Sequence, residues 1–116
     1  MKRRNKWEGS GVVNSRPVLR RTGRGRPVCN FYLLMDESHD KADGTHVPLE
    51  MVVDITLWGD LAEAFVERHK KGDEIVIEGK LARDDWVADD GSPRTKLKVV
   101  ARDFYQEPEN DERKAS

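Results

Sequence analysis

Residues 51–81, MVVDITLWGDLAEAFVERHKKGDEIVIEGKL, read as strand, helix, strand. Over 52–58 two sets of side chains alternate. Val53, Ile55 and Leu57 make an apolar face, and Val52, Asp54, Thr56 and Trp58 make a mixed one. Gly59 breaks the strand. Asp60 followed by Glu63 has capping-box spacing, which predicts a helix opening at Asp60. Leu61, Phe65 and His69, flanked by Ala62 and Val66, fall on one stripe at helical period. Lys70 and Lys71 suit the negative end of that helix, and Gly72 suits the position just past it. The following strand, 74–83, buries Ile75 and Ile77. One helix among short strands, with an aromatic turned outward, predicts a small barrel whose sheet serves as a binding surface.

At 116 residues the chain is long enough for one domain with one modest core. Charged residues make up 37% against 36% hydrophobic, so exposed loops or a tail are expected, yet strands this regular exclude a disordered chain. No apolar run reaches transmembrane length, and the opening MKRRNK lacks the apolar segment of a secretory signal. No membrane partner and a cytoplasmic location are therefore expected. Cys29 is alone, which excludes an intrachain disulfide and a cysteine-rich zinc site and suits a core position. The net charge of −1 hides an asymmetry. Residues 1–28 carry nine Lys or Arg and one acid, Glu8, whereas the rest carry twelve bases and twenty-one acids. A basic N-terminal quarter on a near-neutral chain is a footprint for a polyanion. For Lys2 to Arg4, where no aromatic is interleaved, a solvated arm is an equally good reading.

Residues 6–19 predict a first strand, but a weak or bent one, because Gly9 and Gly11 interrupt Trp7, Val12, Val13 and Leu19. The segment 20–27, RRTGRGRP, is a turn by its Gly and Pro and carries four arginines. Residues 27–35 form a second strand with Cys29, Phe31, Leu33 and Met35 on one face and Val28, Asn30, Tyr32 and Leu34 on the other. A polar loop, 36–48, holds His39, Asp40, Asp43 and His46; loop residues of these types are usually solvated, and no metal is expected. Residues 84–93 read as a hairpin connection turning at Asp89-Asp90-Gly91, with Trp86 on its shoulder. Residues 94–105 close the sheet with Leu97 and Val99 inward and Lys96 and Lys98 outward. Residues 106–116 lack periodicity and predict a disordered tail after a domain over 1–105. Five strands with one helix between the third and fourth is the order of an all-β, Greek-key OB-fold barrel.

These pieces, taken together, resemble the bacterial-type single-stranded DNA-binding proteins, a group also carried by phages and plasmids. The resemblance runs from Asn5 to Phe104. It rests on Asn5-Lys6, Pro17, Arg20, Val28-Cys-Asn-Phe31, Leu57-Trp-Gly59 and Leu61-Ala-Glu63, then Lys71-Gly72, Ile77-Glu-Gly-Lys-Leu81, Trp86, Asp90-Gly91 and Arg94. It implies a non-enzymatic coat for single strands in replication, recombination or repair, without cofactor and as a dimer or tetramer. It implies stacking of bases on Trp58 and Trp86, and phosphate contacts from Lys6, Arg20, Arg83 and Arg94. Tyr32 shares the outward register as a further stacking surface. Arg21, Arg24 and Arg26 add phosphate contacts from the first turn, as do Lys96 and Lys98 from the last strand. Plainer roles stand beside these. Trp58 could pack on a neighbouring subunit, Trp86 could cap the barrel end, an outward strand tyrosine is common, and the arginines could belong to a solvated loop.

The chain also departs from that family. Val52 stands where a third-strand Trp is usual, and the loop Trp is missing, with His39 the nearest residue. Asp54 replaces a usual base, Asp84 and Asp85 precede Trp86, and Glu8 and Ser10 replace apolar residues of the first strand. Carboxylates along a phosphate track oppose binding, so weaker affinity is expected, or a path shifted toward the first turn and the Lys96/Lys98 strand. The terminal EPENDERKAS lacks the acidic, Phe-ended docking tip of cellular members. The acidic substitutions and the missing Trp support a competing expectation, an OB-fold protein-docking module, similar to primosomal restart proteins, with weak nucleic-acid binding. RNA stays open, since stacking tolerates either sugar. For catalysis there is no nucleophile–base pair, no phosphate-cradling loop and no ligand cluster.

Overall fold

The computed structural model describes residues 3–107. The tail expected over 106–116 lies outside the described residues from 108 onward, as do the first two residues. The chain forms β1 (Trp7–Val13), β2 (Val18–Arg21), β3 (Pro27–Asp36), β4 (His39–Asp40), β5 (His46–Val47) and β6 (Glu50–Trp58). One helix, α1 (Asp60–Arg68), then precedes the long strands β7 (Glu74–Val87) and β8 (Pro93–Tyr105). The main sheet runs β1-β7-β8-β6-β3-β2, and β1 also pairs with β3, so five strands close on themselves. All the pairings that close the ring are antiparallel except β6–β8, which meet in parallel through Ile55–Val99 and Thr56–Val100. This is the expected Greek-key barrel with one helix.

The alternation read from the sequence accounts for the interior. Cys29, Phe31 and Leu33 of β3, Ile55 and Leu57 of β6, and Ile75 and Ile77 of β7 point inward with Val13 and Val99. The helix closes one end of the ring with Ala62 and Phe65. The Phe65 ring stacks on Phe31 at 4.6 Å and meets Phe104 edge-on at 5.0 Å. Burial pushes the Cys29 thiol up to about 11, consistent with its place as a small core side chain.

Several expectations need correction. The first strand is two strands, broken between Val13 and Val18, where Pro17 is buried. Before the break β1 bends, pairing with β7 over Trp7–Val12 and with β3 at Val12 and Val13. Gly11 allows this, because a Cβ there would run into the Leu34 carbonyl. Asp60 does not cap the helix. Gly59 holds the cap position at φ 65° with no side-chain cap, and Glu63 instead reaches Arg21 at 3.4 Å. The helix ends at Arg68, with His69 as its C-cap and Gly72 (φ 99°) further on in the turn toward β7. His69 Nδ1 lies 3.0 Å from Asp73, which also accepts from the Lys70 N–H; both interactions hold the Asp73 carboxyl below its ordinary value. The 36–48 loop contains the small β4–β5 hairpin, where His46 meets Asp40 at 2.8 Å.

The largest correction concerns residues 84–93. They are not a loose connection. β7 and β8 stay paired out to Val87–Pro93, and only Ala88 to Ser92 turn. Trp86 therefore sits in a strand opposite Arg94. This ribbon runs past the barrel, so Leu97, expected inward, finds no core to enter and is 68% exposed.

Candidate nucleic-acid interface

Strand pairing decides which side chains share the outer face, because paired residues project together and alternate along each strand. The β3–β6 register matches Val28 with Trp58, Asn30 with Thr56, Tyr32 with Asp54 and Leu34 with Val52. The β2–β3 register adds Val18 and Arg20 on one side. On the ribbon, Ala82 opposes Lys98, Asp84 opposes Lys96 and Trp86 opposes Arg94, all on one face. These rows line an open groove of about 410 Å³, bounded by Arg20, Tyr32, Trp58, Asp84, Lys96 and Lys98. Trp86 and Arg94 continue the same face along the ribbon.

The floor is polar and internally bonded. Arg20 Nη2 donates to Asn30 Oδ1 at 2.8 Å, and Asn30 Nδ2 donates to Thr56 Oγ1 at 2.7 Å. This relay orients Arg20 and satisfies the buried Thr56 hydroxyl. Tyr32 is fixed through its backbone. Its N–H donates to Ser15 Oγ at 2.9 Å and its carbonyl accepts from the Asn14 N–H, and the residue is 47% exposed. Lys96 Nζ donates to Asp54 Oδ2 at 2.7 Å, which raises the lysine above its ordinary value.

Each tryptophan has a cation beside it. The Arg26 guanidinium lies 4.5 Å from the Trp58 ring centre, and the Lys96 ammonium lies 5.9 Å from that of Trp86. Trp58 is half-buried, whereas Trp86 is 45% exposed. The arrangement offers flat rings spaced along a face with cations at their sides.

Of the residues singled out from the sequence, Arg20, Tyr32, Trp58, Lys96 and Lys98 line the groove. Arg26 joins them over Trp58, and Trp86 and Arg94 share the ribbon face, with Arg94 3.8 Å from Asp90. Four residues are placed elsewhere. Arg21 alternates with Arg20 onto the other side of β2 and pairs with Glu63 of the helix. Arg83 lies on the ribbon's opposite face, beside Leu97 and bound to Asp85 at 3.1 Å. Arg24 is exposed at the tip of the first turn. Lys6 is exposed next to Asn5, whose side-chain amide exchanges two hydrogen bonds with the Leu81 backbone. Residue-type reasoning passed over Asn30 and Thr56, although their outward register was visible in the alternation. Among the described residues, no three His, Cys, Asp or Glu side chains gather to hold a metal ion. Among the same described residues, no helix is long and apolar enough to cross a membrane.

Comparison with known proteins agrees with this architecture. A model of the single-strand binding protein family matches residues 5–106. The chain is 33% identical over 91 residues to a single-stranded DNA-binding protein of Deinococcus radiodurans, covering 78% of this chain and 30% of that one. It is 31% identical over 96 residues to single-stranded DNA-binding protein 2 of Chlorobaculum tepidum, covering 80% and 64%. It thus spans less than two thirds of the length of these relatives. Among solved structures it superposes on a Plasmodium falciparum single-stranded DNA-binding protein complexed with single-stranded DNA. There the TM-score is 0.78 at 18% identity, covering 90% of this chain and 95% of that one. A deletion mutant of the Thermus aquaticus single-stranded DNA-binding protein gives a TM-score of 0.74 at 23% identity, covering 87% and 49%. With the family model spanning nearly the whole described domain, the chain belongs to the single-strand binding protein family.

Proposed function

We propose that this protein binds single-stranded DNA without reading its sequence, keeping it unpaired and shielded during replication, recombination or repair. Bases stack on Trp58, Trp86 and Tyr32, while phosphates meet Arg20, Arg26, Arg94, Lys96 and Lys98. The observation that carries this reading is the sharing of one open face by two tryptophans, a tyrosine and this row of cations. Every base presents a π face and every nucleotide a phosphate, so such a surface tolerates any sequence. The relatives named as single-stranded DNA-binding proteins support it, as does the neighbour complexed with single-stranded DNA. The reading calls for no catalytic group and no cofactor. It carries with it a cytoplasmic location and self-association, for which the exposed Leu81, Val87 and Leu97 on the ribbon's other face offer apolar surface. The protein-docking alternative rests on the acidic substitutions and the missing third-strand Trp; of the acids, Asp54 is offset by Lys96 at 2.7 Å.

The two faces of the ribbon and barrel make the reading testable. In a salt series with labelled oligo-dT, Arg20→Ala is expected to weaken binding and flatten the slope of log K against log salt by about 0.7. Arg83→Ala, on the far face, is expected to leave both unchanged. Equal losses at the two positions, or none at Arg20, would contradict a track along the groove.

A further inference from the structure

Asp54 is out of place on a surface that receives phosphates. Its carboxylate is mostly buried, 16% exposed at the side chain, and it lies between Tyr32, its register partner, and Lys96. The Lys96 ammonium sits 2.7 Å from it, opposes Asp84 across the ribbon and lies 5.9 Å from the Trp86 ring centre. The groove lining thus holds three cations, Arg20, Lys96 and Lys98, and two carboxylates, Asp54 and Asp84. Arg20 is held by a neutral amide and is free to accept an anion. Lys96 already has one.

We propose that Asp54 is an affinity-setting residue of the groove: a built-in anion that competes with phosphate for Lys96, so that the Asp54–Lys96 pair as a whole adds nothing net to strand binding. A phosphate reaching Lys96 displaces a counterion from the DNA but uncovers Asp54, which gathers a cation in turn. The two ionic terms cancel. The strand therefore binds less tightly, and with a shallower salt dependence, than the number of groove cations implies. This inference rests on the groove being the single-strand track and adds what tunes it.

The test is a salt series with oligo-dT on four proteins: wild type, Asp54→Asn, Lys96→Met and the double variant. Asn keeps the shape and a hydrogen-bond acceptor while removing the charge, and thermal denaturation confirms that each variant is folded. Asp54→Asn is expected to tighten binding about fivefold at 0.1 M salt and to steepen the salt slope by about 0.7, the contribution of one phosphate on a single strand. Lys96→Met, which leaves a bare carboxylate in the track, is expected to weaken binding. The double variant is expected to match wild type in both affinity and slope. Looser or unchanged binding by Asp54→Asn would overturn the proposal and make Asp54 a mere holder of Lys96, as would a double variant as weak as Lys96→Met alone. Failure of the groove reading itself is separate: wild type would then either not bind oligo-dT or bind it with no loss on Arg20→Ala, whatever Asp54→Asn does.

Discussion

Replacing Trp58 by alanine is expected to weaken oligo-dT binding by roughly 1–3 kcal/mol, the value known for single-strand-binding proteins of this type per stacked base. Replacing Trp86 should cost about as much again. Each loss corresponds to about 5- to 150-fold in affinity, and the double variant should approach the product, since the two rings lie on different elements of the face. The companion effect on stability separates the two positions. Trp86 stands 45% exposed on the ribbon and packs on little, so its removal should leave the unfolding midpoint nearly unchanged. Trp58 is half-buried beneath Arg26, so its removal should lower stability modestly as well. Anisotropy of a labelled oligonucleotide, paired with urea denaturation of each variant, reads both effects. Wild-type affinity with both rings gone would show that the strand runs elsewhere.

The second large effect concerns the fold. Phe65→Ala is expected to destabilise the protein by about 3–5 kcal/mol. Domains of this size have only about 5–15 kcal/mol in total. Phe65 is fully buried, carried by α1, and its ring touches both Phe31 of β3 and Phe104 of β8. Its removal leaves a cavity where helix and barrel meet, and stiff strands on either side cannot collapse into it. A loss below about 1 kcal/mol in urea denaturation would mean that the helix is not the plug of this barrel.

The core of this fold was legible because β-strand alternation is local. Val53, Ile55 and Leu57 face the core by parity alone, Val53 half-buried at its edge, and so do Cys29, Phe31 and Leu33. Strand lengths were not legible, because a strand continues for as long as a partner stays beside it. The ribbon out to Val87 and Pro93 exists through cross-strand pairing in a segment whose acids and Gly91 look like loop. Leu97 has inward parity but projects past the end of the barrel, which no periodicity reveals. The capping box failed for a backbone reason. Gly59, at positive φ, takes the cap position, and Glu63 is drawn to Arg21 across the helix–strand gap.

The geometry of the candidate face was legible to the same depth. Trp58, Tyr32, Lys96 and Lys98 follow from outward parity. Arg20 and Arg21 are neighbours, and a strand sends neighbours to opposite faces; taking the segment as a turn hid that one faces the groove and the other the helix. Arg83 falls on the far face for the same reason, since its parity within β7 opposes that of Trp86. The Asp54–Lys96 pair joins residues 42 apart in sequence across β6 and β8, strands that meet in only two register pairs. Read singly, Asp54 is a repulsive charge on a phosphate track; in the folded groove it is a charge already matched. Val52, beside Leu34 and 56% exposed, leaves the far end of the face without a ring. The proposed stacking surface thereby reduces to Tyr32 and the two tryptophans.

Intrinsic tryptophan fluorescence, titrated with oligo-dT at low and moderate salt and with duplex DNA as control, tests the central claim most directly. Two of the three tryptophans lie on the proposed track and Trp7 packs against the core, so stacking should report strongly. The expected result is quenching that saturates at a fixed nucleotide count, weakens with salt, and is absent with duplex. Unchanged fluorescence at low salt with a saturating single strand would contradict the account and return this face to the class of protein-docking surfaces.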